Sequence, residues 1–377
     1  MILDEAVTTR GARDADGGEL VRALAHGRAS LQAAVAAAQE GFPHAALDRL
    51  KAMGLLEATL PRRGGGLGWG REAGGMICLG RALQELGRAS LALGRIYEAH
   101  VNAVALIARY GSEDLQRVAW ADVRAGHLLA LWVAPSALPL RVSIVGGRVD
   151  IAGLKPVCTA AGIASRAVVT AWDDEDRERL IYVDATRATP VPLDGPGLSG
   201  MRNTATAAMR FDMSVPAPGL IGEADDYLHE PDFSAGAWRT SAVTAGGLAE
   251  LVDETIRQLA SRARHRSPCQ SARIGQLLIH AQTSRMWAAA AAAQAALADQ
   301  SPADLTGLVG LARVAIEQAC LDSIQLVQRS LGFASLTRAN KVEAMMRDLA
   351  IYLRQPAGDE VLAEAAIHFA EAVSAAP

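Results

Sequence analysis

Eight histidines, at positions 26, 44, 100, 127, 229, 265, 280 and 368, are the first residues that could do chemistry. No two form an H-x-x-x-H or H-E-x-x-H pair, the helical spacing that puts two imidazoles on one metal ion. The four cysteines (Cys78, Cys158, Cys269 and Cys320) lie far apart with no C-x-x-C. That excludes a disulfide framework, and the thiols read as reduced and buried. No metal site is expected. Gly64-Gly65-Gly66-Leu67-Gly68-Trp69-Gly70 is glycine-rich, but it follows a helix and matches neither G-x-G-x-x-G nor G-x-x-x-x-G-K. It reads as a tight interhelical connection rather than a phosphate cradle. His100 shares a helical face with Ile96, Val101 and Val104, so a satisfied or half-exposed core histidine is expected. The charged run Asp173 to Arg179 reads as a solvated turn. No G-x-S-x-G is present to serve as a nucleophile elbow. Taken singly, these residues name no reaction.

The elements that must position them fall into three stretches. From about Leu20 to Gly126 the apolar period is helical, with Ser112 placed to cap a helix running to Asp122. From about Leu128 to Phe233 short β-like runs take over. Val142–Val145 and Arg148–Ala152 flank Gly146-Gly147 as a hairpin. Further strands are expected at Leu128–Val133, Ala167–Ala171, Leu180–Val183 and Ala207–Phe211. Pro190, Pro192, Pro196, Pro216 and Pro218 punctuate the stretch, which suits a small antiparallel barrel or sandwich. From about Ser234 the helical period returns in three long helices and two shorter ones, suggesting an antiparallel bundle. The expected fold is α+β and mostly α. Its domains are an N-terminal helical domain (1–127), a central β domain (128–233) and a C-terminal helical bundle (234–377).

The chain has 377 residues, half of them apolar but only 4% aromatic, so Ala, Leu and Val must build the core. The formal net charge of -4 argues against a general nucleic-acid binder, which would show a basic excess. The longest apolar run, Met286 to Ala293, is too short to span a bilayer. Met1 to Glu19 is polar and charged and does not read as a signal peptide. A cytoplasmic location is expected.

In order and spacing, several segments resemble the acyl-CoA dehydrogenase family of flavoproteins, from about Phe42 to Leu353. Leu55 to Pro61 with the following glycines is similar to that family's "G…P…GG.G" entry. Leu106 to Glu113 is similar to its "I..yGse.qk" helix end. Gly153-Leu154-Lys155-Pro156-Val157-Cys158-Thr159-Ala160-Ala161 resembles "G.K.wITna", and Phe211 to Gly222 resembles "f..V.VP…liG". Arg266 falls at the arginine of "R..FG". Gln328 to Phe333 resembles "Q..GG.G", and Arg347-Asp348 matches "RDar".

The resemblance implies an N-terminal helical domain, a central antiparallel β-barrel and a C-terminal four-helix bundle. It implies FAD between barrel and bundle, a homodimer or homotetramer, and an acyl-CoA or acyl-carrier thioester as substrate. By position, Val133, Ala134 and Ser136 form the ring-contacting loop, with Val157 and Thr159 at the ring edge. Arg266 meets the pyrophosphate from the next subunit, and Gln328 to Gly332 approach the adenosine. Thr159 as an ordinary strand residue and Arg266 as a solvated helix end stay open.

The family's catalytic glutamate is absent from both of its usual places. Ile351-Tyr352-Leu353-Arg354-Gln355-Pro356 carries leucine where it would stand, and Trp238-Arg239-Thr240 has no carboxylate. The remaining catalytic candidates are Asp359, Glu360 and Arg354. The resemblance points to a flavin oxidoreductase acting on an acyl thioester CH–CH bond. A flavin monooxygenase on the same scaffold and a non-catalytic subunit of an active paralogue stay open.

Overall fold

A computed structural model describes residues 15–136, 139–193, 197–355 and 357–375. Most of the polar N-terminal stretch (1–14), Pro196 and Pro356 lie outside them. Six helices come first: α1 (Ala15–Ala37), α2 (His44–Ala52), α3 (Leu55–Ala58), α4 (Ala73–Ala89), α5 (Leu91–Tyr110) and α6 (Glu113–Arg124). Ser90 starts α5 and Ser112 starts α6, each hydroxyl accepting from the backbone N–H three residues on. This meets one of the donors that a helix start leaves unpaired. The glycine-rich segment connects α3 to α4 through a short 3₁₀ turn.

The middle of the chain is one eight-stranded sheet. Its strands are β1 (Leu129–Trp132), β2 (Arg141–Val145), β3 (Arg148–Cys158), β4 (Arg166–Trp172), β5 (Glu178–Asp184), β6 (Thr189–Val191), β7 (Ala207–Pro216) and β8 (Leu220–Ile221). They run in the order β6-β7-β3-β2-β4-β5-β8, with β1 alongside β4. The expected antiparallel barrel is corrected on two counts. β1 pairs β4 in parallel, and among the described residues no pairing closes the path from β6 to β8. The β2–β3 hairpin turns at Gly146-Gly147, where both φ angles are positive, as a tight two-residue turn demands. β3 pairs β7 along most of its length, but the register breaks between Lys155 and Cys158. Such a bulge re-aims the side chains around it.

Asp173 is corrected too. It is buried rather than solvated, accepting from the backbone N–H groups of Glu175 and Arg177 and from the Arg179 side chain. Three cysteines are buried as expected, but Cys269 is exposed.

The last part is α7 (Ala237–Ser261), α8 (Pro268–Ala295), α9 (Pro302–Leu331), α10 (Lys341–Tyr352) and α11 (Gly358–Ala375). Pro at the first position opens α8 and α9, where a missing N–H costs nothing. α4 of the N-terminal part packs against α7 at glycines. A Cβ on Gly87 would strike the Val243 carbonyl, and one on Gly246 would strike the Gln84 carbonyl. Main chain cannot yield as a side chain can. Gly246→Val is therefore expected to cost about 3 kcal/mol. Urea unfolding of the variant checks this, and an unchanged midpoint would contradict it.

Candidate functional site

α5 is apolar on most of its surface, yet Arg95, Glu98 and Asn102 recur at i, i+3 and i+7 on one face. Glu98 is only 2% exposed. Its Oε2 accepts from Arg95 Nη1 at 3.0 Å and from the Tyr352 hydroxyl at 2.9 Å. Its Oε1 accepts from Thr240 Oγ1 at 2.9 Å and Asn102 Nδ2 at 3.1 Å. Four donors fill the lone-pair positions of one carboxylate, which is what makes its burial tolerable. Arg239 extends the network by donating to Asn102 Oδ1 at 3.1 Å and to the Gly70 carbonyl at 3.0 Å. Its guanidinium stacks on Trp238, 5.1 Å from the ring centroid.

Electrostatics follow from this burial. Burial works against the charge of Arg95, and neighbours led by Glu98 more than restore it. Burial, with some help from Arg71, pulls Arg239 down to about 10 against the opposing pull of Glu98 and Asp232. Burial, reinforced by Glu98, lifts the Tyr352 phenol well above its ordinary range, so it stays a protonated donor. Beside the network, Asp232 accepts from Arg71 at 2.7 Å and from the Tyr110 hydroxyl at 2.8 Å.

The two stretches where the family's glutamate stands elsewhere, 351–353 and 238–240, meet here, since Tyr352 and Thr240 share Glu98. Sequence reasoning missed Glu98 and Arg95. An Arg/Glu pair three apart inside an otherwise apolar helix was the signal that could have found them. His100, two residues on, is fully buried and fully used. Its Nδ1 accepts from Leu129 N at 3.1 Å, and its Nε2 lies 3.2 Å from the Leu56 carbonyl. That pattern defines the neutral imidazole with its proton on Nε2.

The other sequence-derived candidates form two groups. Val133, Ala134 and Ser136 follow β1, and Lys155 reaches under them from β3. Its ammonium donates to Thr170 Oγ1 at 2.6 Å and to the Ala134 carbonyl at 3.4 Å. Burial lowers Lys155 to about 8. The indole of Trp132 donates to the Thr159 carbonyl at 2.9 Å. Past the β3 bulge Val157 is half exposed, and the Thr159 hydroxyl has no hydrogen-bond partner among the described residues.

Arg266, Gln328 and Gly332 lie at one end of the α8–α9 pair and are exposed. Gln270 donates to the Ser330 carbonyl at 3.1 Å and Arg273 to the Arg329 carbonyl at 3.0 Å, which brings the segments together. Gly332 has φ 64, and a Cβ there would meet no atom within 4 Å among the described residues. Asp359 and Glu360 are exposed in the first turn of α11, and Arg354 pairs with Glu317 at 2.7 Å. None of these three bonds to the Glu98 network. Arg347 and Asp348 anchor a loop instead: Arg347 donates to the Ser199 carbonyl, and Asp348 accepts from Met201 N.

Residues 18–126 match the acyl-CoA dehydrogenase N-terminal domain. Butyryl-CoA dehydrogenase from Megasphaera elsdenii superposes with a TM-score of 0.82 at 16% identity, over 96% of this chain and 100% of that one. The chain has the acyl-CoA dehydrogenase fold. The same fold is seen in dibenzothiophene monooxygenase (TdsC) from Paenibacillus sp. A11-2, with a TM-score of 0.77 and 18% identity over 94% of this chain and 97% of that one. TdsC is also known in complex with FMN and indole. In sequence, 3-sulfinopropanoyl-CoA desulfinase of Cupriavidus necator is 29% identical over 145 residues, 36% of this chain and 35% of the desulfinase. The matched part thus spans about a third of that relative. Among the described residues, no group of three or more His, Cys, Asp or Glu side chains could hold a metal ion, and no helix is long and apolar enough to cross a membrane.

Proposed function

We propose that this chain is a flavin-dependent enzyme acting on an acyl thioester, by a reaction that does not begin with proton removal by a carboxylate. The observation that carries this reading is the junction of α5, α7 and α10 around Glu98. Leu353 and the stretch Trp238-Arg239-Thr240 match the family's two base positions, and the buried acid, Glu98, has its lone pairs occupied by four donors. A carboxylate so engaged orients neighbours and is poorly placed to accept a carbon-bound proton.

FAD is the flavin we propose. The free Thr159 hydroxyl and half-exposed Val157 beyond the bulge suit a flavin ring edge, and exposed Arg266 suits a diphosphate. A bound flavin supplies the redox chemistry. The chain's own residues shape the rest: Tyr352 and Thr240 are held at fixed positions by Glu98, and the Arg239 guanidinium stacks on Trp238. The thioester substrate draws support from the desulfinase similarity. Because Arg266 is exposed in one chain, a homodimer or homotetramer that covers it is part of the proposal.

A second reading, an oxygen-using monooxygenase with FMN, is favoured by the same lack of a free carboxylate and by the TdsC likeness. The purified protein decides among these. Absorption bands near about 370 and 450 nm mark bound flavin. Mass spectrometry of the extracted flavin separates FAD from FMN. A colourless protein that takes up neither would sink both enzyme readings and leave the non-catalytic subunit. With FAD bound, Arg266→Ala is expected to weaken its retention by about tenfold or more, the worth of a charge-assisted hydrogen bond. Equilibrium dialysis checks this, and unchanged affinity removes Arg266 from the site.

A further inference from the structure

The chain has only three lysines, Lys51, Lys155 and Lys341, and of these only Lys155 is buried, at 4% exposure. Its ammonium donates to two neutral acceptors, the Thr170 hydroxyl of β4 at 2.6 Å and the Ala134 carbonyl at 3.4 Å. Glu178 of β5 and Cys158 of its own strand are the titratable groups that act on it, and neither is hydrogen-bonded to its ammonium. Thr170 and, across the β3–β7 pair, Met209 do not titrate. An apolar side chain would fill this place without the cost of burying a charge.

The position of Lys155 gives that charge a use. β1 ends at Trp132, and Lys155 meets the Ala134 carbonyl from β3. The register of β3 breaks directly after Lys155, and past the break stand half-exposed Val157 and Thr159. The Trp132 indole joins the two segments by donating to the Thr159 carbonyl. Lys155 therefore lies between the loop after β1 and the bulge that suits a flavin ring edge.

We propose that Lys155 is a positioning residue for the flavin: its ammonium holds the Val133–Ser136 loop to the sheet through the Ala134 carbonyl and places a buried positive charge behind the ring site. A flavin that takes up two electrons and one proton becomes an anion, and a fixed cation nearby favours that form. Burial lowers Lys155 to about 8, so the charge is present below that pH and lost above it. The inference rests on the flavin reading proposed above and deepens it.

The full chain, loaded with FAD, is brought to equilibrium with a reference dye while dithionite reduces both. Lys155→Met keeps the length of the side chain and removes its charge. At about pH 6.5 the substitution is expected to shift the equilibrium about tenfold toward oxidised flavin, and at about pH 9.5, where the unaltered lysine is neutral, to shift it little. The unaltered protein, measured alone, should show an inflection near pH 8. Its absence overturns the inference, whether or not the variant folds. An equal shift at both pH values means that the substitution acts through packing, and no shift at either means that the charge does not reach the ring; each overturns the inference and leaves the flavin reading standing. A chain that takes up no flavin overturns that reading and the inference with it.

Discussion

Glu98→Leu is expected to lower stability by about 3–5 kcal/mol, the loss that follows when one partner of a buried ion pair is removed. Leucine is close in volume, so little of this comes from a cavity. The loss arises because Arg95 stays where it is, and the Tyr352, Thr240 and Asn102 donors lose their acceptor. The effect should appear as a lower urea midpoint at an unchanged slope. Tyr352→Phe removes a single donor and should cost only about 1 kcal/mol. Arg95→Met added to Glu98→Leu should recover part of the loss, because it removes the stranded charge. A loss below about 1 kcal/mol for Glu98→Leu would mean that the carboxylate is not buried and paired as described.

Acid should destabilise the protein through His100. Burial depresses this imidazole to about 4, against about 6.5 in an unfolded chain. Below pH 6.5 the unfolded chain takes up a proton that the folded one refuses, so folding stability falls as pH falls. The full loss is reached near pH 4, below which both states are protonated. A shift of this size corresponds to about 3 kcal/mol between pH 7 and pH 4. Stability measured across that range should show the slope, and His100→Gln should flatten it while losing some stability at pH 7. A profile that is the same in both proteins would mean that other groups carry the acid response.

Much of the architecture was legible because it rests on local chemistry. The helical periods, the Ser112 cap and the Gly146-Gly147 hairpin each depend on residues a few positions apart. The sheet was less legible because β4 takes β1 and β2 as parallel partners across long stretches of chain, and no local pattern states that choice. The β3 bulge that sets Val157 outward also follows from pairing with β7. The site was half legible. The sequence placed 238–240 and 351–353 as the positions to watch, through resemblance and through the carboxylate they lack. It did not offer Glu98, because an acid within an apolar helix looks like an exception until Tyr352 and Thr240, more than a hundred residues away, are seen to bond it. Asp173 was misread for a similar reason, since its burial comes from the fold of its own turn around the carboxylate.

The contact between α4 and α7 has a further consequence. Gly87 and Gly246 lie on opposite sides of the whole sheet in sequence, yet their helices touch at main-chain distance. The Glu98 network adds a second bond across the same gap. Neither helical layer can complete its packing until the chain between them has been threaded into place. Loop closure over that span comes before the contacts that reward it, so folding should be slow and late-committed. The same linkage makes the two layers melt together as a single cooperative unit.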